Sequence, residues 1–163
     1  CMDAKRELLS LLSTDAREDV DDIARQLDTD PDTVEQLLTE LESEGPVRGY
    51  QAVIDWDSTD TNHVAAHVEL NVELDRDTGY EEIADRIARF PAVESLRLVS
   101  GDYDFAVKVT GDSMQDVSQF ISEQVAPLPE VTQTVTHFVM ETYKEAGIDF
   151  GDRDGDDRLS VSP

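Results

Sequence analysis

The sequence predicts an α+β chain in two parts, a unit of three short helices followed by a larger βαββαβ unit. Three observations carry that prediction. Apolar residues recur at helical spacing in three stretches before Gly45-Pro46, whereas Val64 to Leu74 alternates apolar and polar side chains. A polar stretch, Asp57-Ser58-Thr59-Asp60-Thr61-Asn62, separates the two patterns. Near the centre of the second part, Val99-Ser100-Gly101-Asp102-Tyr103-Asp104-Phe105 lies between two strand-like runs. A strand and a helix precede it, and a helix and a strand follow.

The first helix is expected to be capped by Asp3 and to bury Leu8, Leu9, Leu11 and Leu12. The second starts near Asp19 and carries Val20, Ile23, Ala24 and Leu27, with Asp19, Asp21 and Asp22 at its positive N-terminal end. The third starts at Asp30-Pro31, a cap residue followed by proline in the first helical position. Val34, Leu37, Leu38 and Leu41 form its apolar face, and Gly45-Pro46 ends it. Only Asp28-Thr29 separates helices two and three, which forces a sharp angle. With an extended stretch from Val47 to Trp56 behind them, the three helices have the outline of a winged helix-turn-helix. A plain three-helix interaction module fits the same pattern.

In the second part, Val64, Ala66, Val68, Leu70, Val72 and Leu74 share one strand face. Thr78-Gly79-Tyr80-Glu81 reads as a capping box for a helix with Tyr80, Ile83, Ala84 and Ile87 inward, stopped by Pro91. Val93 to Val99 and Phe105 to Val109 form a hairpin, with Gly101 supplying the positive φ of the reversal and Asp102 tying the turn. A helix from Ser113 buries Met114, Val117, Phe120 and Ile121, and a last strand runs from Val131 to Met140. This order is the ferredoxin-like arrangement, an antiparallel sheet with both helices on one face. On the last strand the uncovered face carries either Thr132, Thr134, Thr136 and Phe138 or Val135, His137 and Val139. Neither set suits water, so a homodimer or larger even-numbered assembly is expected to cover it. The expected boundaries are 1–56 for the helical unit with its linker strand, 57–63 for a linker, 64–146 for the βαββαβ unit and 147–163 for a disordered acidic tail.

Thirty-eight acidic residues face thirteen basic ones, for a net charge of -25. Spread through periodic helices, the acids argue against disorder for most of the chain. The pattern resembles proteins of extreme halophiles, where a screening length near about 3 Å in molar salt relieves self-repulsion. Cys1 is the single cysteine, so no intrachain disulfide or cysteine metal cluster forms. It precedes Met2 and reads as an added residue. No apolar run has the length of a signal peptide or a membrane span, so a cytoplasmic protein without membrane contact is expected. The tail's Asp152, Asp154, Asp156 and Asp157 lack calcium-loop spacing. Neither a metal nor another cofactor is expected.

The ordered set of motifs resembles the Lrp/AsnC (feast/famine) family of transcription regulators over about residues 2 to 146. In the N-terminal half it comprises Asp15-Ala16-Arg17, Ile23-Ala24 with Leu27, Pro31 with Thr33-Val34, Leu41-Glu42, Gly45, and Gly49-Tyr50 with Ala52. In the C-terminal half it comprises Gly101-Asp102-Tyr103-Asp104, Leu128-Pro129 with Val131, Thr134 with Thr136, and Lys144. The resemblance implies an N-terminal domain that binds double-stranded DNA and a C-terminal domain that dimerises and senses a small effector, typically an amino acid. It places the sensor at Ser100, Gly101, Asp102, Tyr103 and Asp104, with Thr134 and Thr136 from the last strand. The chemistry agrees: a carboxylate holds an ammonium group, and amides and hydroxyls hold a carboxylate. The alternative is that Asp102 and Asp104 only fix the turn.

One departure from the family matters. Its recognition helices carry arginine or lysine near the positions of Gln36, Leu37, Thr39 and Glu40, whereas no basic residue lies between Arg25 and Arg48 here. Residues 1 to 60 hold five basic and seventeen acidic side chains, a balance of −12. Phosphate contacts supply most non-specific DNA affinity, so this domain repels DNA in dilute buffer. In molar salt, readout falls to Thr33, Gln36 and Thr39 on bases, with Arg17 and Arg48 on the backbone. Two other functions compete. One is a metabolite-sensing oligomer whose helix-turn-helix no longer binds DNA. The other, an enzyme similar to sirohaem decarboxylases, has only His63, His67, His137 and Arg97 to offer and no nucleophile–base pair, so no enzyme is expected.

Overall fold

A computed structural model of the chain describes residues 2–151. It divides into two units, Cys1–Ile54 with Lys144–Asp149, and Asp55–Tyr143 with Phe150–Pro163.

The first unit is built on α1 (Met2–Thr14), α2 (Val20–Gln26) and α3 (Pro31–Glu44). Leu8, Ile23, Ala24, Val34, Leu37 and Leu41 form its core, so one apolar stripe from each helix meets in the middle. Asp3 lies within the first turn of α1 rather than capping it. The other two caps form as their residues dictate. The Asp19 side chain accepts from the Asp21 amide and that of Asp30 from the Thr33 amide, with Pro31 in the first turn. Thr33 holds the Asp30 carboxyl below the usual carboxylate range. Between α2 and α3 the chain reverses through Asp28 at a φ of 55°, a conformation that aspartate tolerates better than bulkier residues. Gly45 ends α3 at a φ of 105°, its amide donating to the Leu41 carbonyl.

The expected linker strand does not form. Among the described residues, 47–54 pair with no strand, and Tyr50, Val53 and Ile54 are exposed. An extended segment becomes a strand only when its amides and carbonyls meet a partner backbone. A second difference lies at the other end. Lys144–Glu145 (β5) and Ile148–Asp149 (β6) form a two-stranded ribbon where the end of one domain and the start of a disordered tail were expected. The tail from residue 152 lies outside the described residues.

In the second unit β1 (Val64–Val72), α4 (Tyr80–Ala88), β2 (Val93–Leu98), β3 (Phe105–Gly111), α5 (Met114–Phe120) and β4 (Val131–Phe138) follow in the βαββαβ order, with a π-helical turn at Ile121–Val125 extending α5. The strands form one antiparallel sheet in the order β2-β3-β1-β4. Ala66, Val68, Leu70, Phe105, Val107 and Val109 point from its covered face into a core closed by Ile83, Ile87, Val117, Ile121 and Val125 of the helical layer. The expected capping box at Thr78 is absent, because Gly79 caps α4 without a side-chain bond. Before that helix the Asp75 carboxylate accepts from the Asp77 and Thr78 amides instead.

Register settles which face of β4 is uncovered. Thr134 and Thr136 pair with Leu70 and Val68, so both lie on the helix-covered face. The open face carries Gln133, Val135 and His137, beside Asn71, Glu69 and His67 on β1. At the start of the unit Trp56 stacks on His63, with ring centroids 4.3 Å apart.

Candidate functional site: the β2–β3 hairpin and the exposed side of α3

The hairpin is positioned by two backbone bonds and one side-chain bond. The Val99 amide donates to the Asp104 carbonyl, and the Asp104 amide donates to the Leu70 carbonyl on β1. Asp104 then adds a side-chain bond, its Oδ2 accepting from the Val72 amide at 2.9 Å. One residue thereby closes the hairpin and satisfies the end of β1, a structural role for a residue expected to read an effector. Gly101 sits at a φ of 119°, which makes it the reversal residue. Asp102, expected to tie the turn, has no hydrogen-bond partner among the described residues and is exposed, as are Ser100 and Gly101. Tyr103 is half-buried.

The sheet brings the seven expected sensor residues toward one end of the sheet. Leu70 has Phe105 on one side and Thr134 on the other, so Thr134 is two strand spacings, roughly 10 Å, from the hairpin. Thr136 lies two residues further into the sheet. A cavity of about 190 Å³ lined by Trp56, Thr61, Asn62, His63, Thr110, Gly111 and Asp112 is at the opposite end of β1 and holds none of them.

Sequence reasoning missed two neighbours of the hairpin. Leu98 pairs across from Phe105 on the covered face yet is 55% exposed. Tyr80, expected to point inward, is 37% exposed and sets its ring edge-on against Phe105 at 6.0 Å. The alternation Leu96, Leu98 signalled the face of Leu98, but nothing local signalled that the helical layer stops short of it.

On α3 the apolar stripe Val34, Leu37 and Leu41 is buried, leaving Asp32, Glu35, Gln36, Thr39 and Ser43 exposed. Each expected base-reading residue has a local bond. The Thr33 amide serves the Asp30 cap, Gln36 Nε2 donates to Glu40 Oε1 at 3.4 Å, and Thr39 Oγ1 donates to the Glu35 carbonyl at 3.0 Å. Lys5 reaches from α1 to Glu40 at 3.1 Å and Glu44 at 3.2 Å. These carboxylates hold the Lys5 ammonium above the usual lysine range, and Lys5 holds Glu40 below the usual carboxylate range. Arg25 is ion-paired with Asp22. Arg48 is exposed and folds its guanidinium over Gly45, where an added Cβ would approach its Nη2 to 3.3 Å. The Arg17 amide donates to Asp15, while its guanidinium has no partner among the described residues. The two arginines expected at the DNA backbone are therefore not tied up by carboxylates.

No helix among the described residues is long and apolar enough to cross a membrane. Among them, too, no three His, Cys, Asp or Glu side chains are grouped to hold a metal ion.

Known proteins share both halves of this arrangement. The family described as the Lrp/AsnC ligand binding domain matches residues 65–148. YugG of Bacillus subtilis, an HTH-type transcriptional regulator, is 38% identical over 158 residues, covering 96% of this chain and 95% of its own. The proline dehydrogenase transcriptional activator of Rhizobium radiobacter is 26% identical over 142 residues, covering 87% and 90%. Among solved structures, a Neisseria meningitidis transcriptional regulator in complex with L-Met shares the fold at a TM-score of 0.69 and 20% identity, covering 87% of this chain and 91% of its own. AsnC of E. coli does so at 0.65 and 17%, covering 88% and 94%. With both halves accounted for and one relative alike along nearly its whole length, this chain belongs to the Lrp/AsnC family of DNA-binding, metabolite-sensing transcription regulators.

Proposed function

We propose that this regulator senses an amino acid at the β2–β3 hairpin and reads DNA with the exposed side of α3, acting as a homodimer or larger even-numbered assembly in the cytoplasm rather than as an enzyme. The observation that carries the sensing role is the division of labour between the two hairpin aspartates. Asp104 is committed to the Val72 amide, which leaves Asp102 exposed on a fixed turn, with no partner among the described residues, to meet an ammonium group. Thr134 and Thr136 serve from the same end of the sheet, and Ser100, Gly101 and Tyr103 offer backbone and side-chain groups around the turn.

The open sheet face supports the assembly. On a chain of net charge -25, this face balances Arg97 and Lys108 against Glu69 and Glu94, and adds His67 and His137. Lys108 pairs with Glu94 at 3.4 Å and His137 with Glu69 at 2.6 Å. Two such faces meet without the repulsion that the rest of the surface imposes. Thr33, Gln36 and Thr39 are the base-reading candidates, and Arg17 and Arg48 the backbone anchors. The acidity of α3 fits work at molar salt, where a halophile's cytoplasm screens it. That same acidity supports one other reading, a sensor that responds to its effector without touching DNA.

Selection of bound fragments from genomic DNA in about 2 M KCl, with and without an amino-acid pool, separates the two. Enrichment of a short palindrome, shifted by one amino acid, is the expected result. No enrichment from folded protein in either condition overturns the DNA-reading half and leaves the sensor.

A further inference from the structure

The cavity at the start of β1 lies at the other end of the sheet from the hairpin, and neither the sensing nor the DNA reading uses the residues that line it. Its walls are fixed. Gly111 pairs with Val64 and lies so close to α5 that an added Cβ would come within 3.1 Å of Val117. The Thr110 amide donates to the Ala92 carbonyl. Trp56 is held by Thr59, whose amide and hydroxyl donate to its carbonyl at 3.1 and 2.8 Å. His63 covers one face of the indole, with the rings 25° from parallel, yet Trp56 stays 38% exposed. Indole surface therefore remains for a further ring. Asn62, Thr110 and Asp112 bring to the same cavity an amide, a hydroxyl and a carboxylate that make no hydrogen bond among the described residues.

We propose that this cavity binds an uncharged nucleobase or nucleoside carrying an exocyclic amino group, its ring stacked on Trp56 and its amino group donating to Asp112. Aromatic side chains are platforms for bases, and stacking accepts any planar heteroaromatic ring. The edge groups narrow the class. A carboxylate accepts from an amino group and repels a carbonyl oxygen, as when Asp or Glu reads cytosine. The Asn62 amide both donates and accepts, which serves the mixed edge of a base. Volume sets the size. About 190 Å³ is below the roughly 300–1,000 Å³ of sites for drug-sized ligands and suits one base, with any sugar left in solvent. A phosphate group would meet Asp112 and a chain of net charge -25, which favours the free nucleoside over the nucleotide.

The test uses the full chain in about 2 M KCl with cytidine against uridine and adenosine against inosine, pairs that exchange an amino group for a carbonyl oxygen. Emission from Trp56, the single tryptophan, reports occupancy, and equilibrium dialysis gives the affinity independently. One amino nucleoside is expected to change that emission saturably and to bind at least about tenfold more tightly than its carbonyl counterpart. Asp112→Ala is expected to remove the preference. Trp56→Leu is expected to abolish binding in dialysis with the circular dichroism spectrum unchanged. Equal affinity within both pairs, a preference retained in Asp112→Ala, or undiminished binding by Trp56→Leu overturns the inference. So does quenching that rises without saturating and leaves no nucleoside retained in dialysis. None of these outcomes touches the hairpin, and the sensing reading stands or falls on its own test.

Discussion

Asp102 and Asp104 are two residues apart, carry the same group and do different things. Asp104 spends its carboxylate on the Val72 amide. Asp104→Ala leaves that amide without its partner and is expected to cost about 1–2 kcal/mol, read from the urea midpoint, whereas Asp102→Ala leaves the midpoint unchanged. A loss of effector response in Asp104→Ala would therefore not by itself place it in the site, and Asp102→Asn is the cleaner probe. Phe105→Ala, at the hub between core and hairpin, is expected to cost about 3–5 kcal/mol in the same measurement. The sequence announced the turn, because glycine and its neighbours act locally. It did not announce the Asp104–Val72 bond, which joins residues 32 apart. Nor did it settle the face of Thr134 and Thr136, because alternation gives two sets and only pairing with β1 chooses between them.

Elements show the same divide between local and distant causes. The start of α3 was legible because Asp30 and Pro31 act within one turn, while the linker strand failed because an extended run alone does not supply the partner backbone a strand requires. The Lys5 bridge from α1 to α3 was hidden for the opposite reason, since no pattern links residue 5 to residues 40 and 44. Its pH dependence follows in sign. Glu40 is held below its ordinary value, so its contribution is present above pH 4.5 and is lost as the pH falls through the depressed value. Lys5 is held above its ordinary value, so its contribution is present below pH 10.5 and is lost as the pH rises beyond it. The thermal midpoints of wild type and Lys5→Ala are expected to differ near neutrality and to converge in acid, as measured by circular dichroism. Just beyond the C-cap of the same helix, Arg48→Glu is expected to weaken binding to every DNA sequence by a similar factor in electrophoretic or anisotropy titrations, the signature of a backbone contact.

For the whole molecule, charge sets the conditions under which these parts act. Most DNA-binding proteins lose affinity as salt rises, because their cationic side chains release counterions. With a balance of −12 over residues 1 to 60, this regulator is expected to gain affinity between about 0.2 M and 2 M KCl, as repulsion from phosphate is screened. Fluorescence anisotropy across that range checks the sign, and a steady loss of affinity would show that Arg17 and Arg48 outweigh the acids. The stack of Trp56 on His63 has an optical consequence. Trp56 is the chain's single tryptophan, so all indole emission comes from the junction where the extended segment enters the sheet. Any change in that emission on adding an amino acid or DNA reports movement at this junction alone, and without an attached dye.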